Sequence, residues 1–356
     1  MNLFQRCGFA LVYTVPALLP LSAALGSWTG YVDLFAWLPL AVLFGLVPIA
    51  DYALGRDSTN PTPAQAEQLE ADAWFRGLTL LALPVHLLVL AWSAHHFAHA
   101  PFDSAGQLGW LIAQGVVGGV LAINTAHELI HKDSRLERAA GGALLASVGY
   151  HGFKVEHLRG HHVHVATPAD ASSARMGQSV WAFVPRALWR NTQRAWQLEA
   201  QRVARLGLPA WHPRNELVGW TALWLGLAAA FTVWLGAPGF VFFIAQGFFA
   251  AVSLEIINYI EHYGLERAQL PDGRYERTTH LHSWNSDYRL SNWLLFHLQR
   301  HSDHHASPRR RYPALRHHAD SPQLPGGYGA MFVLALVPPL WFRAVHPVLA
   351  RWRAGH

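Results

Sequence analysis

The chain has 356 residues, of which 52% are hydrophobic and only 14% charged, against about 25% charged in soluble domains. The apolar content excludes intrinsic disorder, the lone cysteine Cys7 excludes a disulfide scaffold, and the charge deficit points to lipid rather than to two soluble domains. The formal charge is +5 with histidine neutral, and 23 His and 16 Trp are the other anomalies.

A membrane-spanning helix needs roughly 20 mostly apolar residues, at about 1.5 Å rise each across a hydrocarbon core of about 30 Å. Six stretches fit: 7–26, 31–50, 75–92, 107–126, 217–235 and 240–259. The first lacks the small-residue cleavage pattern of a signal peptide, and more spans follow it. The run 328–345 is interrupted by Pro338 and Pro339 and is expected to lie on or partly in the membrane. Basic side chains stay on the cytoplasmic side. Loops 27–30, 93–106 and 236–239 contain no Lys or Arg, whereas 132–214 contains 12 and 263–327 contains nine. The expected fold is therefore an all-α integral membrane protein of six transmembrane helices, a single domain over 1–356. Its termini and two polar segments, about 127–214 and 260–327, face the cytoplasm. The basic excess suits an anionic leaflet or an acidic protein partner, and no nucleic-acid module accompanies it.

The histidines gather at the cytoplasmic ends of these spans. In chain order the clusters are His127-Glu128-Leu129-Ile130-His131-Lys132, Glu156-His157-Leu158-Arg159-Gly160-His161-His162, Asn258-Tyr259-Ile260-Glu261-His262-Tyr263-Gly264-Leu265, and Leu298-Gln299-Arg300-His301-Ser302-Asp303-His304-His305-Ala306. Residues i and i+4 of a helix share a face. That pairs His127 with His131, His157 with His161, and His301 with His305. His162 and His304 sit beside these pairs, and His262 completes nine metal-ligand candidates. His95, His96, His99, His212, His317 and His318 follow no such pattern. His86 lies mid-span and is expected to have a hydrogen-bonded packing role.

Imidazole suits Zn, Cu, Fe and Ni, and one zinc takes four ligands. Nine imidazoles exceed one metal's capacity, so two metals are expected. An all-nitrogen pair of metals in a membrane suggests O2 chemistry, with iron the commoner choice and copper left open. The pentad His127-Glu128-Leu129-Ile130-His131 also matches the H-E-x-x-H zinc protease pattern, with Glu128 as general base. That reading leaves seven clustered histidines unused.

These clusters resemble the membrane-bound alkane 1-monooxygenases, within the wider membrane fatty acid desaturase and hydroxylase superfamily. The third and fourth clusters carry the narrower match. So do Asp51, Gly55-Arg56-Asp57-Ser58-Thr59-Asn60-Pro61, His282-Ser283-Trp284-Asn285-Ser286 and Gln323-Leu324-Pro325-Gly326-Gly327-Tyr328. The resemblance runs from about the second span to the C-terminus. It implies a six-span bundle in a bacterial inner membrane, with a cytoplasm-facing site of two non-haem iron ions on His127, His131, His157, His161, His162, His262, His301, His304 and His305. It implies hydroxylation of the terminal methyl group of a medium- or long-chain n-alkane with O2. The electrons would come from rubredoxin, reduced by an NADH-dependent rubredoxin reductase. The chain departs from the commonest family form at Ile130, where Gly is usual, and at Leu158, where Asn is usual. Ile130 is expected to narrow the space beside the first helix pair.

A methyl C–H bond has no acidic proton and no leaving group, so acid–base catalysis has nothing to act on and the metals must carry the chemistry. Ligating histidines need an acceptor on the other ring nitrogen. Glu128, Glu156, Glu261 and Asp303, each adjoining a ligand in sequence, are expected to supply it. Electrons must come from outside, since one cysteine cannot hold an iron–sulfur cluster and no Gly-rich dinucleotide fingerprint is present. The run Arg309-Arg310-Arg311 is expected to help dock an acidic donor. A xylene-type methyl monooxygenase and a fatty acyl desaturase or hydroxylase are the alternatives within the superfamily. The zinc metalloprotease is the alternative outside it.

Overall fold

The computed structural model describes residues 3–355, and among them there is helix but no strand beyond three isolated bridges. The helices are α1 (Gln5–Thr29), α2 (Leu38–Leu54), α3 (Pro63–Ala71), α4 (Ala73–His99), α5 (Ser104–Ile130), α6 (Arg135–Ser147), α7 (152–164), α8 (Val180–Ala204) and α9 (Glu216–His262). Four short or peripheral ones follow: α10 (Arg289–Leu294), α11 (His301–Ala306), α12 (Tyr328–Ala335) and α13 (Pro338–Gly355).

Four of these, α1, α4, α5 and α9, are long and apolar enough to cross a membrane. At 47 residues α9 is far longer than one crossing requires. Gly236 breaks it, with φ 68° and ψ −151°, a conformation that glycine alone adopts easily. Beyond the break Phe243 stacks on Phe231 with ring centroids 5.2 Å apart, so the two arms lie side by side. The stretch expected over 31–50 is divided. A single turn, Val32–Phe35, precedes α2, which has 17 residues and contains a π turn at Val42–Leu46. The run 328–345 is likewise two helices, with Pro338 opening the second.

Polar residues start the helices where backbone N–H groups lack partners. Asp72 caps α4 through Trp74 N (2.9 Å), Asp103 caps α5 through Gly106 N (2.8 Å), and Asn215 caps α9 through Leu217 N (2.9 Å). Helix α5 then packs along α9 at close range. A Cβ on Gly115 would lie 2.4 Å from Phe249 Cβ, so only glycine permits this approach. His86 is buried in α4, and its Nε2 has no hydrogen-bond partner among the described residues.

Outside the apolar bundle, α8 closes over α7 and the start of α9 through Glu199. This buried carboxylate accepts from Arg159, from Arg202 Nε (2.7 Å) and from Glu216 N (2.9 Å). Burial pushes its pKa up, but the hydrogen bonds from Arg202, Arg159 and Glu216 N outweigh that and hold it at about 2. A depressed carboxylate stabilises the fold above its unfolded pKa of 4.5 and loses that contribution as pH falls through 2. Glu199→Gln should therefore lower the thermal midpoint at pH 7. The gap between wild type and variant should close between pH 4.5 and 2, as followed by thermal unfolding in detergent.

Candidate metal centre

Four helical segments converge beneath this polar layer: the last turn of α5, the middle of α7, the last turn of α9, and α11. Their histidines form two groups. His127, His131, His157, His162 and His304 make the first, and His161, His262, His301 and His305 the second. Within each group the nearest ring nitrogens all lie within 4.8 Å of one another. All nine histidines proposed from the sequence are in these groups.

The pairing differs from the helical rule in one place. His127 shares a group with His131, and His301 with His305, as i,i+4 spacing predicts. His157 does not share one with His161. Residues 157–161 form a π turn, in which His162 N–H bonds to His157 O. A π turn puts i and i+5 in register. His157 Nε2 thus lies 3.0 Å from His162 Nε2 and 3.0 Å from His131 Nε2, while His161 turns to the second group, 3.2 Å from His305 Nε2. His304 crosses the other way, with its Nε2 3.1 Å from that of His162.

The rings are in the form a metal needs. Burial, then the charge of neighbouring imidazoles, holds His131, His157, His162, His301, His304 and His305 well below the usual imidazole pKa. Their neutral form prevails at pH 7, and a neutral ring has one lone pair to offer. His127 Nε2 is buried with no hydrogen-bond partner among the described residues. Convergent, neutral imidazoles are a fitting set for transition-metal ions.

His161 is the exception. Burial lowers its pKa, but the Asp170 carboxylate and then Glu156 outweigh burial and raise it. Asp170 Oδ2 lies 3.0 Å from His161 Nδ1, which fixes the ring with Nε2 facing the group. Asp170 is itself held by Ser172 N (3.1 Å) and Ser173 Oγ (2.6 Å). Sequence reasoning missed Asp170, because it follows His161 by nine residues in an irregular turn where no periodicity applies. Ser283, whose Oγ lies 3.4 Å from His262 Nδ1, was missed for the same reason.

Among the described residues none of the four expected acceptors meets the outward ring nitrogen of a clustered histidine, and their settings differ. Glu261 Oε2 lies 3.3 Å from His301 Nε2, and its Oε1 accepts from Tyr328 Oη (2.8 Å). Glu156 sits close over Gly160, with its Oε1 unpartnered among the described residues and its pKa raised to about 8 by burial and by Asp170. Glu128 instead pairs with Lys132 Nζ (2.9 Å) and accepts from Tyr312 N (3.3 Å). Asp303 is taken by Arg310 (2.5 Å), Arg316 N (2.9 Å) and His318 Nε2 (2.9 Å). Adjacent residues on a helix point about 100° apart, which carries both away from the metal side. The arginines of the expected docking run have different settings. Arg310 is tied to Asp303 and Arg311 to Glu137 (2.9 Å), which leaves only Arg309 largely exposed, at 82%.

Against the histidines lies an apolar cavity of about 930 Å³, its open mouth included. Leu43 and Phe44 of α2, Val116 and Val120 of α5, Ile257 of α9 and Phe332 of α12 line it. It ends on His127 and His157 of the first group, and on His301 and Glu261 beside the second. Ile130 does not line it. Its Cγ2 would lie 2.9 Å from a Cβ on Gly141 of α6, so its bulk is taken up between helices rather than in the cavity.

Residues 104–335 match the family model for fatty acid desaturases. The chain is 52% identical to alkane 1-monooxygenase 2 of Pseudomonas aeruginosa over 95% of its own length and 90% of that protein. It is 48% identical to alkane 1-monooxygenase 2 of Alcanivorax borkumensis, over 95% and 89%. The chain belongs to the alkane 1-monooxygenase family. The hydroxylase component of a xylene/toluene monooxygenase from Pseudomonas putida is more distant, 30% identical over 71% of this chain and 66% of that protein. In an alkane 1-monooxygenase the H-E-x-x-H pentad is not a protease motif. The geometry agrees, since Glu128 is locked to Lys132 and His127 and His131 share their group with three further histidines.

The different settings of the carboxylates give different expected phenotypes. Asp170→Asn should weaken metal retention at one of the two groups by roughly 10–100-fold in a chelator titration. Glu128→Gln should leave retention unchanged and lower the thermal midpoint instead, because it strands Lys132, which is 5% exposed.

Proposed function

We propose that this chain is a non-haem di-iron monooxygenase that hydroxylates the terminal methyl group of n-alkanes. The apolar cavity ending on His127, His157 and His301 carries this reading. Its walls are mostly apolar and suit an unbranched hydrocarbon, with the Glu261 carboxylate bound by Tyr328, and they leave one end of the chain beside both histidine groups. Family membership supports the same reading. Iron bound in the two groups would supply O2 activation and, with two electrons, exchange of a methyl hydrogen for hydroxyl.

The protein's own residues orient and exclude. Leu43, Phe44 and Phe332 keep water from the methyl end. Tyr328 holds Glu261 against His301, and Asp170 holds His161. No side chain needs to move a proton to or from carbon.

Six crossings fit the helices: α1, the segment ending in α2, α4, α5 and the two arms of α9. The metal centre then lies at the cytoplasmic face of a bacterial inner membrane, where the basic segments are. Electrons arrive there from a small acidic iron–sulfur protein, rubredoxin in the family. Lys132, next to His131, binds the backbone oxygens of Arg310 (3.0 Å) and Arg309 (3.4 Å), so the exposed Arg309 is fastened directly above the first group.

Purified protein with rubredoxin, its reductase and NADH should convert n-alkanes to 1-alkanols, measured across short, medium and long chains beside a methylbenzene. Failure on every alkane would overturn the assignment. Preferential methylbenzene oxidation would move it to the xylene type. Arg309→Glu should raise the apparent KM for rubredoxin and flatten its salt dependence, with iron content unchanged. Reversing all three arginines is a poorer test, since it also breaks the pairs to Asp303 and Glu137.

A further inference from the structure

A third group of ligating side chains lies outside the two just described. His280, His318 and Asp320 each offer an atom within 4.8 Å of the others. His280 Nε2 lies 2.8 Å from Asp320 Oδ2, and the His280 and His318 rings stack with centroids 4.3 Å apart at 12°. Behind His318, Asp303 Oδ1 lies 2.9 Å from Nε2. That is a carboxylate on one ring nitrogen, the kind of contact that orients a ligating imidazole and leaves the other nitrogen for a metal.

We propose that His280, His318 and Asp320 form a peripheral binding site for a divalent transition ion of the zinc class. Two imidazoles and one carboxylate suit Zn2+, Co2+, Ni2+ or Cu2+ rather than Ca2+ or Mg2+, which prefer oxygen alone. Three protein ligands leave a position for water. The side chains are reachable, with His280, Asp320 and His318 exposed by 28, 61 and 25%. Unlike the nine histidines beneath, they can exchange an ion with solvent.

The backbone around the site is already set. His280 lies on the irregular segment between α9 and α10, His318 and Asp320 on the one between Ala314 and α12. The two segments are joined at their base, where Asn285 N donates to Pro322 O (2.8 Å) and Leu324 N donates to Asn285 O (2.8 Å). A metal would clamp their outer ends. The first of these segments is exposed over 268–274 and carries Arg274 and Arg277, where trypsin can cut.

The test uses iron-loaded enzyme purified without a polyhistidine tag, equilibrated with Zn2+ and desalted, with zinc and iron measured in the same sample. Wild type should retain one zinc per chain beyond its iron, and Zn2+ should slow tryptic cleavage at Arg277. His280→Ala and Asp320→Asn should each weaken zinc retention by more than an order of magnitude and abolish that protection. Their iron content and zinc-free alkane turnover should match wild type. Equal zinc in wild type and in the double variant overturns the proposal. So does zinc uptake matched by loss of iron, since the ion would then sit in the main centre. Co2+ in place of Zn2+ gives an independent readout, because d–d bands should appear in wild type and be absent from His280→Ala.

Discussion

Imidazole binds a metal only through a lone pair, and the lone pair is free only while the ring is neutral. Burial where helices meet a polar layer secures that state for His131, His157, His162, His301, His304 and His305, since dry surroundings disfavour the charged form, whereas Asp170 opposes it at His161. The same burial is costly. His127 Nε2, His157 Nδ1, His301 Nδ1 and His305 Nδ1 have no hydrogen-bond partner among the described residues, and a buried unsatisfied group costs about 1–3 kcal/mol. A metal in the first group would give His127 Nε2 the partner it lacks. Folding of the α5, α7, α9 and α11 ends is thereby linked to metal uptake, as in other sites whose ligands come from distant parts of a chain.

The groups keep their shape because each helix end is held from behind. On the second group, His161 is anchored through Asp170 to Ser172. Asn191 of α8 then donates to Ser172 Oγ (3.0 Å) and to Glu255 Oε1 (3.1 Å). Tyr150 also donates to Glu255, so the chain of contacts runs from the metal side into the C-terminal part of α9. On the first group, the Glu128–Lys132 pair ties the end of α5 to the loop after α11. One group is braced from the helix layer and the other from the loop layer. A change in either layer should reach the two groups unequally.

Much of this arrangement is written locally in the sequence. Apolar runs and polar caps at Asp72, Asp103 and Asn215 mark the long helices. The i,i+4 pairs His127/His131 and His301/His305 are readable because ordinary α-helix holds them. His157 pairs with His162 instead because the backbone there adopts a π turn, whose extra residue per turn has no signature in the spacing. That His161 and His304 exchange groups depends on how α7 and α11 cross, which is a tertiary property. The carboxylates follow the same logic. Glu128 and Asp303 look like partners of the histidines beside them. Their real partners are Lys132 one helical turn on and Arg310 seven residues on, and charge neutralisation of a buried carboxylate outweighs proximity to a neutral ring. Asp170 acts on His161 from a turn, where sequence distance says nothing about space.

The histidine layer also separates two kinds of traffic. On its helix side is the cavity, walled by Leu43, Phe44, Val116, Val120, Ile257 and Phe332, where a charged group would be stranded without a partner. On its other side are the pairs Lys132–Glu128, Arg310–Asp303 and Arg311–Glu137, which leave Arg309 exposed as the positive point above them. A hydrocarbon arriving through lipid and a charged electron donor arriving through water would then have separate paths. Each meets the histidines from the side whose dielectric it already inhabits. Such a layout would put the metal at the boundary between the two media, where α5 and α9 end.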